Sequence, residues 1–259
     1  GRPVKLLISP AKKMRDGGDS LPPETVPGLL EKSAQLLDYL RGLSLPELER
    51  LLACNDRLAS QAYEQFHTMD LRRGDTPALL AYDGIQYKYM APGVFTEKQF
   101  HYVKAHLRIL SGLYGVLRPF DGVSPYRLEM QAKVKTSFCK NLYDFWGDSL
   151  GQYLLGEDDT FVNLASEEYA RAVRPTLQGK ARFVTCVFAE GLEPGKLVEK
   201  GVYVKMARGE MVRFAAENHV STPEGLQGFG CLGYTFAPGL STHERYVFRR
   251  DGLKSGKNL

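Results

Sequence analysis

The sequence predicts an α/β fold: a single compact domain with a mixed β-sheet flanked by helices. Short apolar runs typical of strands alternate with amphipathic helical patterns along the 259 residues, with helices leading the first half and strands the second. No linker, internal repeat or low-complexity tract separates these elements, so one domain over residues 1–259 is expected. A hydrophobic share of 43% excludes an intrinsically disordered chain, and no apolar run approaches the roughly 20 residues of a membrane span.

The first quarter of the chain is predicted to be mostly helical. Residues 4–8 are apolar apart from Lys5 and form the first predicted strand. Helical periodicity follows over residues 29–40. Ser44 and Glu47 then form a capping box that opens a second helix, and a third amphipathic segment covers residues 56–66.

A short turn with one glycine, Gly42, joins the first two of these helices. In a helix-hairpin-helix, backbone N–H groups at such a turn and at the N-terminus of the second helix hold a DNA phosphate. Residues 29–58 are therefore a candidate helix-hairpin-helix element within the domain. The alternative is a helix pair that only supports the fold, since one glycine stands where a Gly-x-Gly turn is usual.

Strands and helices alternate through the rest of the predicted fold. Strands are predicted over residues 78–82, 107–110, 161–164, 182–188, 201–205, 229–236 and 245–248. Helices are predicted from a capping box of Thr96 and Gln99 to residue 106, over 141–155, after Ser166 and over 208–218.

Serine follows three of the predicted strands, at Ser9, Ser111 and Ser166. In open α/β sheets, ligands bind beyond the carboxyl ends of the strands. These serines therefore indicate where a cleft would lie. Serine is also common in turns and helix caps for purely local reasons, which is the alternative interpretation.

Positive charge is concentrated in two segments of the chain. Residues 101–140 carry seven basic and two acidic side chains interleaved with aromatic rings, and residues 196–213 carry five basic and two acidic ones. The whole chain has a formal net charge of only +4. Cations interleaved with aromatics suit a polyanion, because lysine and arginine neutralise phosphates while rings stack on unpaired bases. A solvated charged face over an aromatic core is the alternative.

Several classes of chemistry find no support in the sequence. Four cysteines without a Cys-x-x-Cys pair predict neither a disulfide framework nor a zinc site and, with no signal segment, indicate a cytoplasmic protein. His101 and His106 are five residues apart rather than the four of a zinc helix, so no metal is predicted. No cofactor is predicted either, because the glycine-rich phosphate-binding motifs are absent, and the missing Gly-x-Ser-x-Gly motif disfavours a hydrolase.

A set of polar residues is dense enough to suggest a site. These residues are Lys12, Tyr87, Arg118, Asp121, Tyr126, Arg127, Glu129, Asn163, Ser166, Glu168, Lys205 and Arg208. A carboxylate near arginines and tyrosines serves glycosidic or phosphoryl chemistry. The same residues equally suit an internal salt-bridge network.

A series of motifs extends over nearly the whole chain. They are residues 7–12 (LISPAK), 110–119 (LSGLYGVLRP) with Asp121, 125–130 (PYRLEM), 145–148 (FWGD), 163–166 (NLAS) with Glu168 and Tyr169, and 205–213 (KMARGEMVR). In sequence and in order, these motifs resemble the YaaA peroxide-stress family.

The resemblance implies a cytoplasmic bacterial protein with one compact α/β fold, a positively charged cleft and a helix-hairpin-helix. It also implies binding to double-stranded or structured DNA with little sequence preference, and a role in limiting damage and free iron during hydrogen peroxide stress. No enzymatic activity is firmly attached to the family, although a relationship to base-processing glycosidases has been proposed. The candidate DNA-binding residues in the matching motifs are Lys12, Arg118, Arg127, Lys205, Arg208 and Arg213.

Two main hypotheses about function follow from these observations. The first is a DNA-binding protein of the oxidative-stress response that holds phosphates in a basic cleft. The second is an enzyme acting on a nucleic-acid base or nucleoside, with Glu129, Asp121 and Tyr126 as catalytic candidates. Direct iron sequestration is a weaker third, because the histidines are scattered. A continuous basic groove would favour the first hypothesis, and a pocket holding a carboxylate would favour the second.

Overall fold

Seven strands form one mixed sheet in the computed structural model, which describes residues 4–15, 21–191 and 196–251. The strands in these ranges are β1 (Lys5–Ile8), β2 (Lys13–Met14), β3 (Thr76–Pro77), β4 (Tyr82–Asp83), β5 (Leu107–Ser111), β6 (Gly115–Leu117), β7 (Gly122–Val123), β8 (Thr160–Asn163), β9 (Arg182–Glu190), β10 (Thr235–Phe236) and β11 (Arg245–Arg250). The helices are α1 (Leu30–Arg41), α2 (Leu45–Leu52), α3 (Asp56–Thr68), α4 (Ala78–Ala81), α5 (Ile85–Met90), α6 (Glu97–His106), α7 (Leu142–Trp146), α8 (Ser149–Leu155), α9 (Glu167–Ala170), α10 (Arg174–Leu177) and α11 (Gly201–Glu217).

The sheet is parallel at its centre and antiparallel at both edges. Its strand order is β10-β11-β9-β8-β1-β5-β6, in which only the β10–β11 and β5–β6 pairs are antiparallel. All residues of β1 are buried, as expected for a strand in the middle of a parallel sheet. Even Lys5 is buried there, with its ammonium group 3.0 Å from the carboxylate of Asp158. The predicted α/β domain with a mixed sheet is confirmed.

The order in which strands are added to the sheet reverses at β1. From β1 the chain builds outward through β5 and β6 on one side, and then through β8, β9 and β11 on the other. The segments that leave the carboxyl ends of β1 and β8 therefore diverge and open a crevice between them. In open α/β sheets, this reversal point is where ligands bind.

The backbone N–H groups of the turn between α1 and α2 donate hydrogen bonds to acceptors within the two helices and the turn. Ser44 Oγ accepts the N–H of Glu47 at 3.3 Å, and the Ser44 N–H donates to the Glu47 carboxylate at 3.0 Å, so the predicted capping box is confirmed. The N–H groups of Gly42 and Leu43 donate to carbonyl groups of α1. A phosphate-binding hairpin needs such donors to be available. The helix-hairpin-helix predicted over residues 29–58 is not confirmed.

Three of the predicted strands are wrong wholly or in part. Residues 78–82 begin as α4, and only Tyr82–Asp83 pairs as β4. Residues 201–205 form the first turns of α11. Of residues 229–236, only Thr235–Phe236 pairs as a strand. Short apolar runs do not distinguish a buried helix from a strand, so tertiary packing decides between them.

The predicted helix over residues 141–155 is divided into α7 and α8. Gly147 separates them with a φ of 52°, a backbone conformation that glycine adopts readily. The predicted capping box of Thr96 and Gln99 at the start of α6 is confirmed. None of the helices in the described ranges combines the length and apolarity needed to cross a membrane.

Candidate functional site

A cleft of about 640 Å³ opens beyond the carboxyl ends of β1 and β8. Among the described residues, five stretches line it, at residues 9–13, 83–87, 126–131, 166–169 and 205–208. These stretches are far apart in the sequence and meet because β1 and β8 are neighbours in the sheet. The cleft therefore occupies the reversal point of the strand order, where the fold favours a ligand.

Ser9 joins the two strand ends beneath this cleft. Ser9 follows β1 and Ser166 follows β8, and the Ser166 N–H donates to Ser9 Oγ at 2.8 Å. The two hydroxyl oxygens lie 3.2 Å apart, so the Ser166 hydroxyl bonds across the strand ends. The helix predicted after Ser166 is α9, and the Ser166 side chain makes no capping hydrogen bond to it. Gln86 Nε2 and Tyr87 Oη, both on α5, donate to the Ser9 carbonyl at 3.0 and 2.8 Å.

Helix α11 forms one wall of the cleft, and both of its side chains that line the cleft are cationic. Lys205 and Arg208 lie about one turn apart and both line the cleft. The helix packs directly on α5 at Gly209, where a Cβ atom would overlap the Gln86 carbonyl oxygen. Because Gln86 also holds the Ser9 carbonyl, this contact positions the cationic wall relative to the end of β1.

Arg208 is a half-buried cation whose Nε–H has no hydrogen-bond partner among the described residues. Burial lowers the pKa of the Arg208 guanidinium, and the negative charge of Glu199 opposes this effect. An arginine side chain remains protonated in proteins, so a charged donor is shielded from water here. Such a group is stabilised most by an anion that also accepts hydrogen bonds.

Two glutamates line the same cleft as these cations. Glu129 Oε1 lies 3.4 Å from Lys12 Nζ, and the side chain of Lys12 is largely exposed. The carboxylate of Glu168 accepts the N–H of Gln131 at 3.1 Å. Burial raises the pKa of Glu168, the charge of Glu129 adds to the rise, and the hydrogen bond from Gln131 opposes it. The cleft is thus a pocket that holds carboxylates as well as cations.

Tyr126 contributes to the wall of the cleft, but its hydroxyl group is committed elsewhere. Tyr126 Oη lies 2.6 Å from Ser111 Oγ and 2.7 Å from Tyr82 Oη, and all three side chains are buried. Burial raises the pKa of Tyr126 to about 12, so the phenol stays protonated at neutral pH. Of the three predicted serines, Ser111 therefore supports the pocket wall and does not line the cleft.

Four predicted site residues do not line the cleft, and one of them, Asn163, is buried at the end of β8, where its side-chain oxygen accepts the Ala165 N–H at 3.0 Å. Asp121 is fully buried and pairs with Arg118 at 2.9 Å, and its carboxylate also accepts the hydroxyl of Thr25 at 2.7 Å. Arg213 pairs with Glu217 at 2.8 Å within α11. The expectation that all six basic candidates line one cleft is corrected for Arg118 and Arg213, and Asp121 is not available to a ligand in the cleft.

The structure brings together most of the remaining predicted residues. Lys12, Arg127, Lys205 and Arg208 line the cleft with Glu129, and Lys13 adds a cation beside them. Gln86 and Gln131 also line it, and no sequence pattern marked them, although Gln86 comes soon after the strand end at Asp83. No three His, Cys, Asp or Glu side chains of the described residues are grouped to hold a metal ion.

Known proteins match the chain over nearly its whole length. A family model described as peroxide stress protein YaaA matches residues 4–240. The chain belongs to this family. A UPF0246 protein of Desulfitobacterium hafniense is 53% identical over 95% of this chain and 97% of its own length. UPF0246 proteins of Agathobacter rectalis and Pediococcus pentosaceus are 47% and 46% identical over 95% and 96% of this chain and 99% of each relative.

Membership in the YaaA family confirms the resemblance found in the motifs. The range matched by the family model contains every stretch that lines the cleft. The relatives are similar to this chain over nearly their full lengths. This member is thus one of a family of peroxide stress proteins.

Proposed function

We propose that this protein binds DNA in the response to hydrogen peroxide stress and holds the phosphate backbone in the cleft. Its membership in the family of peroxide stress proteins supports the stress role. One observation carries the DNA-binding part: four of the six basic candidates, from three distant stretches, converge in a single cleft. Lysine and arginine neutralise phosphates and release counterions, which gives binding without base readout.

The charges of the cleft are compatible with this role. Among the described residues, its lining contains five cations, at Lys12, Lys13, Arg127, Lys205 and Arg208, and three carboxylates, at Asp83, Glu129 and Glu168. The negative charge of Asp83 is offset by Arg15, whose guanidinium nitrogen lies 3.4 Å from the carboxylate. The charge of Glu129 is offset in the same way by Lys12, with 3.4 Å between Nζ and Oε1. The cations on α11 and at position 127 are therefore the ones most available to phosphates.

Neutralising three cleft cations is expected to weaken DNA binding and its salt dependence together. In the triple variant Arg127→Gln, Lys205→Gln, Arg208→Gln, the slope of log affinity against log salt should fall by about 2 to 3, since each phosphate contact contributes about 0.9. Affinity at low salt should fall by about 100-fold. Fluorescence anisotropy with a labelled duplex, repeated across a salt series, measures both quantities.

The matched control removes the same charge from surfaces outside the cleft. Arg72, Lys98 and Lys180 are exposed, and none of them lines the cleft. The triple variant Arg72→Gln, Lys98→Gln, Lys180→Gln should retain most of the affinity and the slope. An equal loss in both triple variants would mean that net charge, rather than this cleft, binds the DNA.

A second candidate function is hydrolysis of the bond between a nucleic-acid base and its sugar. It is favoured by the two glutamates in the cleft, Glu129 and Glu168, and in particular by the half-buried Glu168. In such a reaction the C1′–N bond breaks, water supplies its oxygen to C1′, and a carboxylic acid supplies the proton of the departing base. The raised pKa of Glu168 makes it the candidate acid, and Glu129, which pairs with Lys12, is the second carboxylate.

If this reaction occurs, its rate should depend on pH through Glu168. Because burial raises this pKa above 4.5, the protonated acid persists to higher pH than in an ordinary glutamate, and the rate falls as pH rises through the shifted pKa. Glu168→Gln and Glu129→Gln should each lower the release of free base from damaged duplexes by about 100-fold or more, and the exposed control Glu97→Gln should not. Absence of release across a panel of lesions would remove this candidate.

A further inference from the structure

We propose that the cleft binds one nucleotide, a nucleoside 5′-monophosphate that is either free or a unit of a DNA strand. The inference goes beyond backbone binding, because it assigns a complete ligand to the pocket and a free nucleotide would bind without DNA. Its position and size are those of a small-molecule site. The cleft lies where the strand order reverses, and its volume of about 640 Å³ falls within the range of ligand pockets.

The anionic end of the ligand is assigned to α11. Arg208 is half-buried, and its shielded Nε–H has no partner among the described residues, although the guanidinium carries five donors in a planar fork. This fork matches two oxygens of a phosphate group. Lys205 lines the cleft about one turn away on the same helix and would supply a second positive charge to that phosphate.

The remainder of the cleft requires a ligand that also donates hydrogen bonds. Glu129 and Glu168 present carboxylate oxygens, which accept from ribose hydroxyl groups or from an exocyclic amine but repel a bare phosphate ion. Tyr169 and Leu128 add apolar and aromatic surface suited to a base or a sugar face. A simple anion would therefore use only the α11 side, and a cationic ligand would supply no acceptor to the Arg208 Nε–H.

Binding of adenosine 5′-monophosphate tests the assignment directly. Isothermal titration calorimetry of the full chain should detect binding of this nucleotide, and adenosine and inorganic phosphate should each bind at least about tenfold more weakly. Arg208→Gln should reduce nucleotide affinity by about tenfold or more. Arg208→Lys retains the charge but loses the planar fork, so its nucleotide affinity should lie between those of the wild type and Arg208→Gln. The exposed Arg72→Gln is the control and should bind as the wild type does.

The outcomes separate this inference from the proposed DNA binding. Displacement of the nucleotide by a short oligodeoxyadenylate would identify the natural ligand as a unit of a strand, and binding of the nucleotide without competition would identify a free nucleotide. If duplex binding fails but the nucleotide binds through Arg208, the pocket assignment stands alone. The assignment is overturned if millimolar nucleotide does not bind, or if it binds equally well to Arg208→Gln and Arg208→Lys proteins whose melting curves show that they are folded.

Discussion

Replacing Asp121 with alanine is expected to lower the free energy of unfolding by about 3 kcal/mol, because it removes a buried carboxylate that accepts several partly buried hydrogen bonds. The carboxylate of Asp121 accepts the Thr25 hydroxyl and the Arg118 backbone N–H, both at 2.7 Å, and pairs with the Arg118 guanidinium. The side chain of Arg118 is 34% exposed, so water recovers part of what the guanidinium loses. Urea denaturation followed by circular dichroism measures the difference.

Two comparisons make the Asp121 result specific. Asp148 is exposed and its side chain makes no capping hydrogen bond, so Asp148→Ala should change stability by less than about 0.5 kcal/mol. Asp121→Asn keeps the size of the side chain and one acceptor oxygen, so its free energy of unfolding should fall less than that of the alanine variant. An Asp121→Ala protein as stable as the wild type would contradict the structural role. Loss of DNA binding or base release in a fully folded Asp121→Asn protein would show that Asp121 acts in the functional site after all.

Gly209→Ala is expected to destabilise the protein by about 2 to 3 kcal/mol and also to weaken binding in the cleft. The added methyl group would overlap the backbone carbonyl of Gln86, and backbone on α5 cannot move aside as a flexible side chain can. Separation of α11 from α5 would shift Arg208 on one helix and the two donors to Ser9 on the other. Thermal and urea denaturation measure the first effect, and anisotropy titration with a duplex measures the second.

The control for this substitution lies on the same helix. Gly201 begins α11, and a Cβ atom there would meet no atom of the described residues within 4 Å, apart from its chain neighbours and the backbone of its own helix. Gly201→Ala should therefore leave binding unchanged and should keep or slightly raise stability, because alanine favours helix over glycine. If Gly209→Ala matches the stability and DNA affinity of the Gly201 variant, the close contact between α5 and α11 does not hold the cleft together.

Local patterns in the sequence predicted those elements whose stabilising contacts are also local. The capping boxes at Ser44 and at Thr96 each join residues three apart, so a short stretch of chain contains both partners. The strand predicted over residues 201–205 is wrong because the contacts that decide the structure of this segment are not local. Its valines and tyrosine favour a strand, but the segment continues into a helix that packs on α5.

The same distinction applies to the candidate site. Motif matching selected Lys12, Arg127 and Lys205, all of which line the cleft. It also selected Arg118, which forms an ion pair with Asp121 outside the cleft. Nothing in the sequence distinguishes an arginine that is paired within a turn from one whose donors face a cleft. The free Nε–H of Arg208 among the described residues is likewise a property of its packing alone.

From the sequence alone came the α/β class, most helix starts, the family and a set of cations suited to phosphate. Only the tertiary structure decided that the cleft lies between β1 and β8, that it holds two glutamates, and which cations enter it. The physical reason is distance along the chain. Periodicity and caps are set by neighbours within a few residues, whereas β1 and β8 are paired by the packing of the whole sheet across more than a hundred intervening residues.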